Sequence, residues 1–359
     1  MNQTFFSSPA VSPLKGRGSS SNPANRFDKL AVEQEHLEGA DENISPKTEF
    51  FKDTSQTIVS RNDSPDIPFA YSINPYRGCE HGCVYCYARP THEYLGFSAG
   101  LDFETKIMVK KDAPQLLRKM LSRPGWVPQP VALSGNTDCY QPVERKLQIT
   151  RACLSVFSEF CNPVMIITKN FLVTRDLDYL KCLAEVKAVS ISISVTSLKP
   201  DLTRILEPRA SMPERRILAI KTLAKAGIPV GVLLAPVIPG LNDQEIFHIL
   251  QACADAGARF ADYVMLRLPH AVKELFEQWL DLHFPTKKKK ILNLIRDMRG
   301  GKLYQPHFGT RMKGEGFYAE QIKQWFALAC QKAGLIRPAP KLSTDHFKKA
   351  RPLQMSLFD

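Results

Sequence analysis

The chain has 359 residues, of which 44% are hydrophobic and 23% are charged, and its formal net charge at pH 7 is +12. This length and composition can bury the core of one barrel-sized domain with extensions. No apolar run reaches the roughly 18 to 20 residues of a membrane-spanning helix, which excludes that class of membrane protein. The surplus of Lys and Arg is compatible with a polyanionic substrate such as nucleic acid.

Nine cysteines, an odd number, indicate a reducing compartment rather than a disulfide framework. Residues 1–6 lack the basic and then apolar arrangement of a secretory signal. We therefore predict a cytoplasmic protein with no membrane partner.

Composition divides the chain into four segments. Residues 1–65 are rich in Ser, Asn, Pro and charge, and they predict a flexible, largely disordered polar arm because such a segment buries too little apolar surface to fold alone. Residues 66–270 alternate short apolar strands with amphipathic helices. Residues 271–335 predict a helical extension and residues 336–359 a basic tail.

Short apolar segments rich in Val and Ile are typical of strands buried on both faces. The predicted strands are 69–73, 131–134, 164–168, 188–195, 230–236 and 263–268. A capping box, Ser211-Met212-Pro213-Glu214, starts one intervening helix, and Gly227 ends it. Six strand–helix units predict an α/β fold, a partial (β/α)6 TIM-type barrel, with reacting groups at the carboxyl ends of its strands.

Cys79, Cys83 and Cys86 follow the first predicted strand at the spacing C-x3-C-x2-C. Three thiolates hold a cubane iron–sulfur cluster by three irons and leave the fourth iron open to a small molecule. A structural zinc ion would need a fourth ligand, for which His81 or His92 is available. Unrelated buried thiols are the third interpretation.

This cysteine loop resembles the signature of the radical S-adenosylmethionine (SAM) enzymes. The resemblance implies a 4Fe-4S cluster on Cys79, Cys83 and Cys86, an open iron that chelates SAM, and Tyr85 beside the adenine. It implies reductive cleavage of SAM to a 5'-deoxyadenosyl radical that abstracts hydrogen from a substrate. It also implies an external electron donor, flavodoxin- or ferredoxin-like.

The second predicted strand runs into Leu133-Ser134-Gly135-Asn136-Thr137-Asp138, where the family binds the methionine amino group. The Gly-Gly-Glu usual in the family is absent, and the segment is similar to the branch that includes spore photoproduct lyase. This resemblance implies Ser134, Asn136 and Asp138 as polar contacts to SAM. A plain polar turn is the structural alternative.

Lys169 follows the third predicted strand, and the fourth carries Ser190, Ser192 and Ser194 on one face. In the same branch, equivalent positions serve the carboxylate and the sugar of SAM. The resemblance therefore implies Lys169 for the carboxylate and Ser192 or Ser194 for the sugar. Serines packed against a neighbouring helix are the alternative.

Spore photoproduct lyase reverses a thymine dimer and uses a cysteine near the second strand as hydrogen donor. Here Val131-Ala132-Leu133 has no thiol, and Cys139, after that strand, is the candidate donor. We expect a radical reaction on nucleic acid of the DNA-repair-photolyase-like kind. The alternatives are radical modification of a protein or peptide and a non-catalytic, zinc-stabilised nucleic-acid-binding protein.

Overall fold

A seven-stranded sheet forms the centre of the structure, a computed structural model that describes residues 13–27 and 46–349. The strands of the described ranges are β1 (Glu49–Lys52), β2 (Val59–Arg61), β3 (Tyr71–Ile73), β4 (Tyr76–Arg77), β5 (Lys106–Val109), β6 (Val131–Leu133), β7 (Val164–Thr168), β8 (Val189–Ser194), β9 (Val230–Val237) and β10 (Phe260–Met265).

The order of strands in the large sheet is β10-β9-β8-β7-β6-β3-β2. Neighbouring strands are parallel, apart from β2, which runs antiparallel to β3. Because β2 and β10 lie at opposite edges and do not pair, the barrel stays open. These six parallel strands confirm the predicted partial barrel. The sixth begins at Phe260 and not at residue 263, because the exposed Asp262 breaks its apolar pattern without ending the strand.

Helices cover the outer face of this sheet. The helices of the described ranges are α1 (Leu101–Thr105), α2 (Ala113–Leu121), α3 (Glu144–Leu147), α4 (Ile149–Phe160), α5 (Leu177–Glu185), α6 (Pro200–Leu206), α7 (Pro213–Lys225), α8 (Ile246–Asp255), α9 (Val272–His283), α10 (Pro285–Asp297) and α11 (Gly316–Ala333). The main hydrophobic core joins one face of the strands to the apolar stripes of α2, α4, α5, α7, α8 and α11, whereas α6, α9 and α10 pack in a second cluster. In the part of the chain that the structure describes, no helix is long and apolar enough to cross a lipid bilayer.

The predicted capping box before α7 is absent. The helix starts at Pro213, and the N-cap residue, Met212, makes no side-chain capping bond. The Ser211 hydroxyl instead accepts a hydrogen bond from the Phe171 backbone N–H at 2.9 Å. A tertiary contact therefore occupies the hydroxyl that the local sequence pattern predicts as the helix cap. Gly227 has a φ of +76° after the last turn, which confirms the predicted helix end.

Part of the predicted N-terminal arm is ordered against the barrel. Residues 13–27, called the strap below, bind Glu104 through the backbone N–H groups of Gly18 and Ser19, at 3.1 and 2.9 Å. The Ser21 carbonyl accepts a hydrogen bond from the Leu101 N–H at 3.1 Å. The structure differs here from the predicted flexible arm. The polar strap lacks hydrogen-bond partners within itself, and the buried Glu104 carboxylate and backbone N–H groups of the barrel supply them.

Two further pieces of the predicted arm join sheets. β1 pairs in parallel with β5, and β5 pairs with β4 immediately before the cysteine loop. β2 extends the large sheet at its β3 edge. The rest of the predicted arm, residues 1–12 and 28–45, lies outside the described residues, as do residues 350–359 of the predicted tail.

Candidate active site

The cysteine loop, residues 79–86, begins after β4 at the carboxyl end of the first parallel strand, β3. Gly78 and Gly82 have φ angles of +79° and +66°, so the backbone turns through the left-handed region that glycine tolerates. Cys79 and Cys83 are 7% and 8% exposed, and Cys86 is half-buried. The structure therefore brings the three predicted ligands into one short, turned segment.

Arg89 is fully buried and fixes the cysteine loop through hydrogen bonds. Its Nε donates a hydrogen bond to the Cys83 carbonyl at 2.9 Å, and its Nη1 donates to the Gly100 carbonyl at 2.8 Å. Its Nη2 lies 2.5 Å from the Glu104 carboxylate, which also accepts the two strap amides. One buried ion pair therefore ties together the cysteine loop, α1 and the strap.

The surroundings of the thiols favour their neutral form. Burial, the Asp138 carboxylate and the other two thiols of the loop raise the pKa of Cys79 well above 9.0. Burial and the Glu207 carboxylate raise the pKa of Cys83 to about 12. Ionisation of these thiols therefore needs bound cations, as in a metal centre, where coordination removes the proton.

Among residues 13–27 and 46–349, no three His, Cys, Asp or Glu side chains lie close enough to ligate one metal ion. In an iron–sulfur cubane each thiolate binds a different iron, so its cysteines stand farther apart than the ligands of a single zinc ion. Cys79, Cys83 and Cys86 are nevertheless near enough to raise one another's pKa. This donor set fits a cluster held by three thiolates.

The loop after β6 is fixed by Asn74, which sequence reasoning missed. The Asn74 side-chain oxygen accepts hydrogen bonds from the backbone N–H groups of Gly135 and Asn136, at 2.8 and 3.0 Å. Ser134 has a φ of +87°, and its hydroxyl donates to the Thr137 carbonyl. Asn136 is exposed at the end of this turn. The predicted polar turn is thus present, and it leaves the Asn136 side chain open to solvent.

Asp138 links three loops at the carboxyl ends of the strands. Its carboxylate accepts hydrogen bonds from the Thr168 hydroxyl at 2.7 Å and the Lys169 N–H at 2.8 Å, and it lies 3.3 Å from His81 Nδ1. Burial alone would raise the pKa of Asp138, but His81 and these hydrogen bonds hold it at about 2. The ionised carboxylate therefore positions Lys169 and the cysteine loop relative to each other.

Tyr85 belongs to a buried polar network beside the cysteines. Its hydroxyl donates to Glu207, which also accepts from the Thr196 hydroxyl at 2.6 Å and pairs with Arg216. Burial alone would raise the pKa of Glu207, but Arg216, Lys169 and these hydrogen bonds lower it. The Lys169 ammonium lies 5.9 Å from the centre of the Tyr85 ring. The network fixes the ring next to a cation that has no carboxylate partner among the described residues.

The residues of β8 divide between two faces. Its Val and Ile side chains are 0% exposed in the main core, and the serines lie on the opposite face, toward the barrel interior. Ser192 is partly exposed there, whereas Ser194 is 2% exposed and its carbonyl accepts a hydrogen bond from Arg216 at 3.1 Å. Of the two residues predicted for the sugar, Ser192 is the more accessible.

Cys139 is 0% exposed within the main hydrophobic core, whereas Cys79, Cys83 and Cys86 pack in two other clusters. Its chain neighbour Asp138 contacts the cysteine loop at His81, but the Cys139 side chain itself is enclosed in the core. Its sulfur lies 3.9 Å from the Leu133 carbonyl, and burial raises its pKa well above 9.0. The predicted role as hydrogen donor gains no support from this position.

Comparison with known proteins places the chain in a family. The sequence model of the Radical SAM superfamily matches residues 73–253. An uncharacterized protein of Mycobacterium tuberculosis is 36% identical over 76% of this chain and 78% of its own length. The chain belongs to the radical SAM superfamily. An uncharacterized protein of Methanocaldococcus jannaschii is a more distant relative, with 26% identity over 69% of this chain and 96% of its own.

Solved structures share the fold. Spore photoproduct lyase complexed with dinucleoside spore photoproduct covers 80% of each chain with a TM-score of 0.58 and 17% identity. A mutant of that lyase with bound S-adenosylmethionine and the same dinucleoside gives a TM-score of 0.56 and 18% identity. This likeness confirms the predicted fold. The protein is therefore a radical SAM enzyme of a family that uses a 4Fe-4S cluster and SAM.

Proposed function

We propose that Cys79, Cys83 and Cys86 hold the 4Fe-4S cluster and that this radical SAM enzyme acts on nucleic acid. The cluster and SAM, when bound, supply a 5'-deoxyadenosyl radical that takes a hydrogen atom from the substrate. The observation that carries the proposal is that the loop of Cys79, Cys83 and Cys86, after β3, lies close to Lys169, after β7, at the carboxyl ends of the parallel strands. This is where the reacting groups of parallel α/β barrels gather.

Lys169 is proposed to pair with the SAM carboxylate. Its backbone is held by Asp138, and its ammonium lies beside Tyr85, so it is already oriented before a ligand binds. Tyr85 would lie along the adenine. Ser192, partly exposed on the interior face of β8, is the better placed of the two serines for the sugar.

The loop after β6 is proposed to receive the methionine amino group. Ser134 and Asn136 lie on a turn whose backbone is fixed by Asn74, and the Asn136 side chain is exposed. The Asp138 oxygens are used within the protein, by Thr168 and Lys169. We therefore assign Asp138 to positioning this site and not to touching SAM.

A nucleic-acid substrate is supported by two facts. The net charge of +12 favours a polyanion, and the similar spore photoproduct lyase is solved with a dinucleoside lesion. Spore photoproduct lyase uses a cysteine near its second strand as hydrogen donor. This chain has no thiol in Val131-Ala132-Leu133, and its Cys139 is buried, so we expect its reaction to end differently. We therefore propose nucleic acid as the substrate class without assigning dimer reversal.

The first test is anaerobic purification followed by iron and sulfide analysis and a dithionite-driven assay for 5'-deoxyadenosine. The wild type is expected to bind about four irons per chain and to form the product. Cys83→Ala is expected to lose most of the iron and all the product. Cys182→Ala is the matched control, because Cys182 is an exposed cysteine on α5. Zinc in place of iron, or no product in the wild type, would contradict the proposal.

The substrate class is tested by binding of a fluorescent DNA oligonucleotide at rising salt. Phosphate contacts predict an affinity that falls about linearly on a log–log plot as salt rises from about 50 to 200 mM. Absence of salt-sensitive binding to both DNA and RNA, with the cluster and product present, would reject nucleic acid and favour the protein or peptide alternative.

A further inference from the structure

A cleft of about 520 Å³ borders the cysteine loop on a side that the proposed function does not use. The strap, the residues before β1, and the segment that ends in α3 form its walls. Glu80, the residue directly after Cys79, also lines it. The remaining lining residues that carry charge are Lys15, Arg17, Lys47, Lys146 and Arg209.

These charges leave the cleft strongly positive. Lys15, Lys47 and Lys146 are exposed and form no ion pair with any residue of the ranges 13–27 and 46–349. The carboxylate of Glu80 is already paired with Arg209 at 3.0 Å. Burial and the nearby charge of Arg209 lower the pKa of Arg17, which shows how closely the cations are grouped. An acidic partner would relieve this repulsion.

The cleft is also close to the thiols. The Arg209 N–H donates a hydrogen bond to the His81 carbonyl at 3.2 Å, and Gly18 of the strap packs directly on the Gly82 carbonyl. Residues 80–82 lie between Cys79 and Cys83. A molecule in the cleft therefore contacts the loop that carries the proposed ligands of the cluster. Glu80 lines the cleft and directly follows Cys79, so an electron carrier bound there would contact the residue next to a proposed cluster ligand.

The position of the cleft separates it from the proposed substrate site. None of its described lining residues belongs to residues 134–138 or to β8, β9 or β10, which face the barrel interior. Phe50 is 50% exposed at its edge and supplies an aromatic contact of the kind enriched in protein interfaces. A protein partner outside the barrel therefore suits the cleft better than the nucleic-acid substrate does.

We propose that this basic cleft is the docking surface for an acidic one-electron carrier protein of the flavodoxin or ferredoxin class. The proposal rests on the proposed function, because the cluster is the acceptor. With the cluster bound by Cys79, Cys83 and Cys86, a reduced carrier in the cleft would be the one-electron donor and the cluster the acceptor, and no covalent bond would form or break.

The test compares the double variant Lys47→Glu/Lys146→Glu with the control Lys181→Glu/Lys225→Glu. The control lysines are exposed on α5 and α7 and also form no ion pair among the described residues, so the change in net charge is the same. The probe is reduced flavodoxin. Its Kd is measured by titration with the holoenzyme, and 5'-deoxyadenosine formation is followed with flavodoxin or with dithionite as reductant.

We expect the Lys47/Lys146 variant to bind flavodoxin about tenfold more weakly at low salt and to lose about tenfold in flavodoxin-driven kcat/KM. The difference should shrink at high salt, where charges are screened. The dithionite-driven rate should stay within about twofold of the wild type, because a small reductant bypasses the docking surface.

Equal behaviour of the two double variants with flavodoxin would overturn the proposal. So would a selective loss of DNA oligonucleotide binding with unchanged flavodoxin binding, which would make the cleft a nucleic-acid surface. Failure of the proposed function has a different signature. In that case even wild-type protein forms no 5'-deoxyadenosine with dithionite, while the flavodoxin Kd still reports on the cleft.

Discussion

At the scale of single residues, buried carboxylates organise the site. Asp138, Glu207 and Glu104 each accept hydrogen bonds from at least two segments of the chain. The pKa values of Asp138 and Glu207 are lowered because their partners outweigh the cost of burial. These residues set the positions of side chains that we propose to contact SAM, including Tyr85 and Lys169.

The Glu207–Arg216 ion pair is a buried contact whose loss should be costly. Glu207→Gln removes the charge opposite a guanidinium that is 1% exposed, and an unpaired buried charge is strongly unfavourable. We expect the free energy of unfolding to fall by about 3 kcal/mol in urea denaturation at pH 7. Asp201→Asn, at an exposed pair with Arg204, should change it by less than about 1 kcal/mol.

The same variant has a pH signature. The folded-state pKa of Glu207 lies below its usual value of 4.5, so its charge stabilises the protein fully above pH 4.5. That contribution is lost as the pH falls through the lowered folded-state pKa. The stability difference between wild type and Glu207→Gln should therefore be constant from pH 6 to 8 and shrink below about pH 4.5. A difference that grows on acidification would contradict the assignment.

The spacing of Cys79, Cys83 and Cys86 is a local pattern, and the sequence predicted both its place after a strand and its family. Asn74 and Arg89 carry no such signal. Asn74 acts on amides 61 and 62 residues away, and Arg89 acts through Glu104 and backbone carbonyls. A lone Asn after a strand is equally typical of a turn. Side chains that act through distant partners require the tertiary structure.

At the scale of elements, the docking of the strap is a further feature that could not be predicted from the sequence alone. Its composition predicts a flexible arm because it has little apolar surface of its own. The bonds that order it reach Glu104, Ser98 and Asp102, which lie more than 70 residues away. The six parallel strands, in contrast, could be predicted because each carries its apolar pattern within a few residues. The capping box at Ser211 failed because a tertiary partner, Phe171, competes for the hydroxyl.

Docking of the strap depends on a glycine at position 18. A Cβ there would stand 1.7 Å from the Gly82 carbonyl oxygen, so Gly18→Ala cannot be accommodated without displacing the strap. We expect faster amide hydrogen exchange across the strap and residues 79–86, with a loss of about 1–3 kcal/mol in stability. Gly125→Ala is the control, because a Cβ there meets nothing within 4 Å. Unchanged exchange in Gly18→Ala would mean that the strap is not docked in solution.

At the scale of the whole molecule, the open sheet leaves β10 as an edge strand. Part of this edge is covered by the chain after α11: the Ile336 N–H donates to the Arg259 carbonyl at 2.9 Å, and the Ala261 N–H donates to the Ile336 carbonyl at 3.2 Å. Covered edges protect a sheet from pairing with other chains. The predicted boundary between extension and tail, at residue 335, falls where this bridge forms.

Ile336→Pro tests the protection of this edge. Proline removes the N–H that bonds to the Arg259 carbonyl, and an unsatisfied carbonyl costs about 1–3 kcal/mol. We expect lower thermal stability and larger species in size-exclusion chromatography as protein concentration rises. Lys341→Ala, at an exposed position a few residues on, should elute as the wild type does. A monomeric, equally stable Ile336→Pro would show that this bridge does not protect the sheet.

The strap also bears on how the protein matures. It is synthesised early, but its partners at Ser98, Gly100 and Glu104 emerge from the ribosome many residues later. Once docked, its Gly18 packs on the Gly82 carbonyl, within the loop whose cysteines we propose as cluster ligands. We therefore expect the rate of cofactor loading to depend on whether the strap is docked. Chemical reconstitution of the purified protein should be faster in Gly18→Ala than in the wild type.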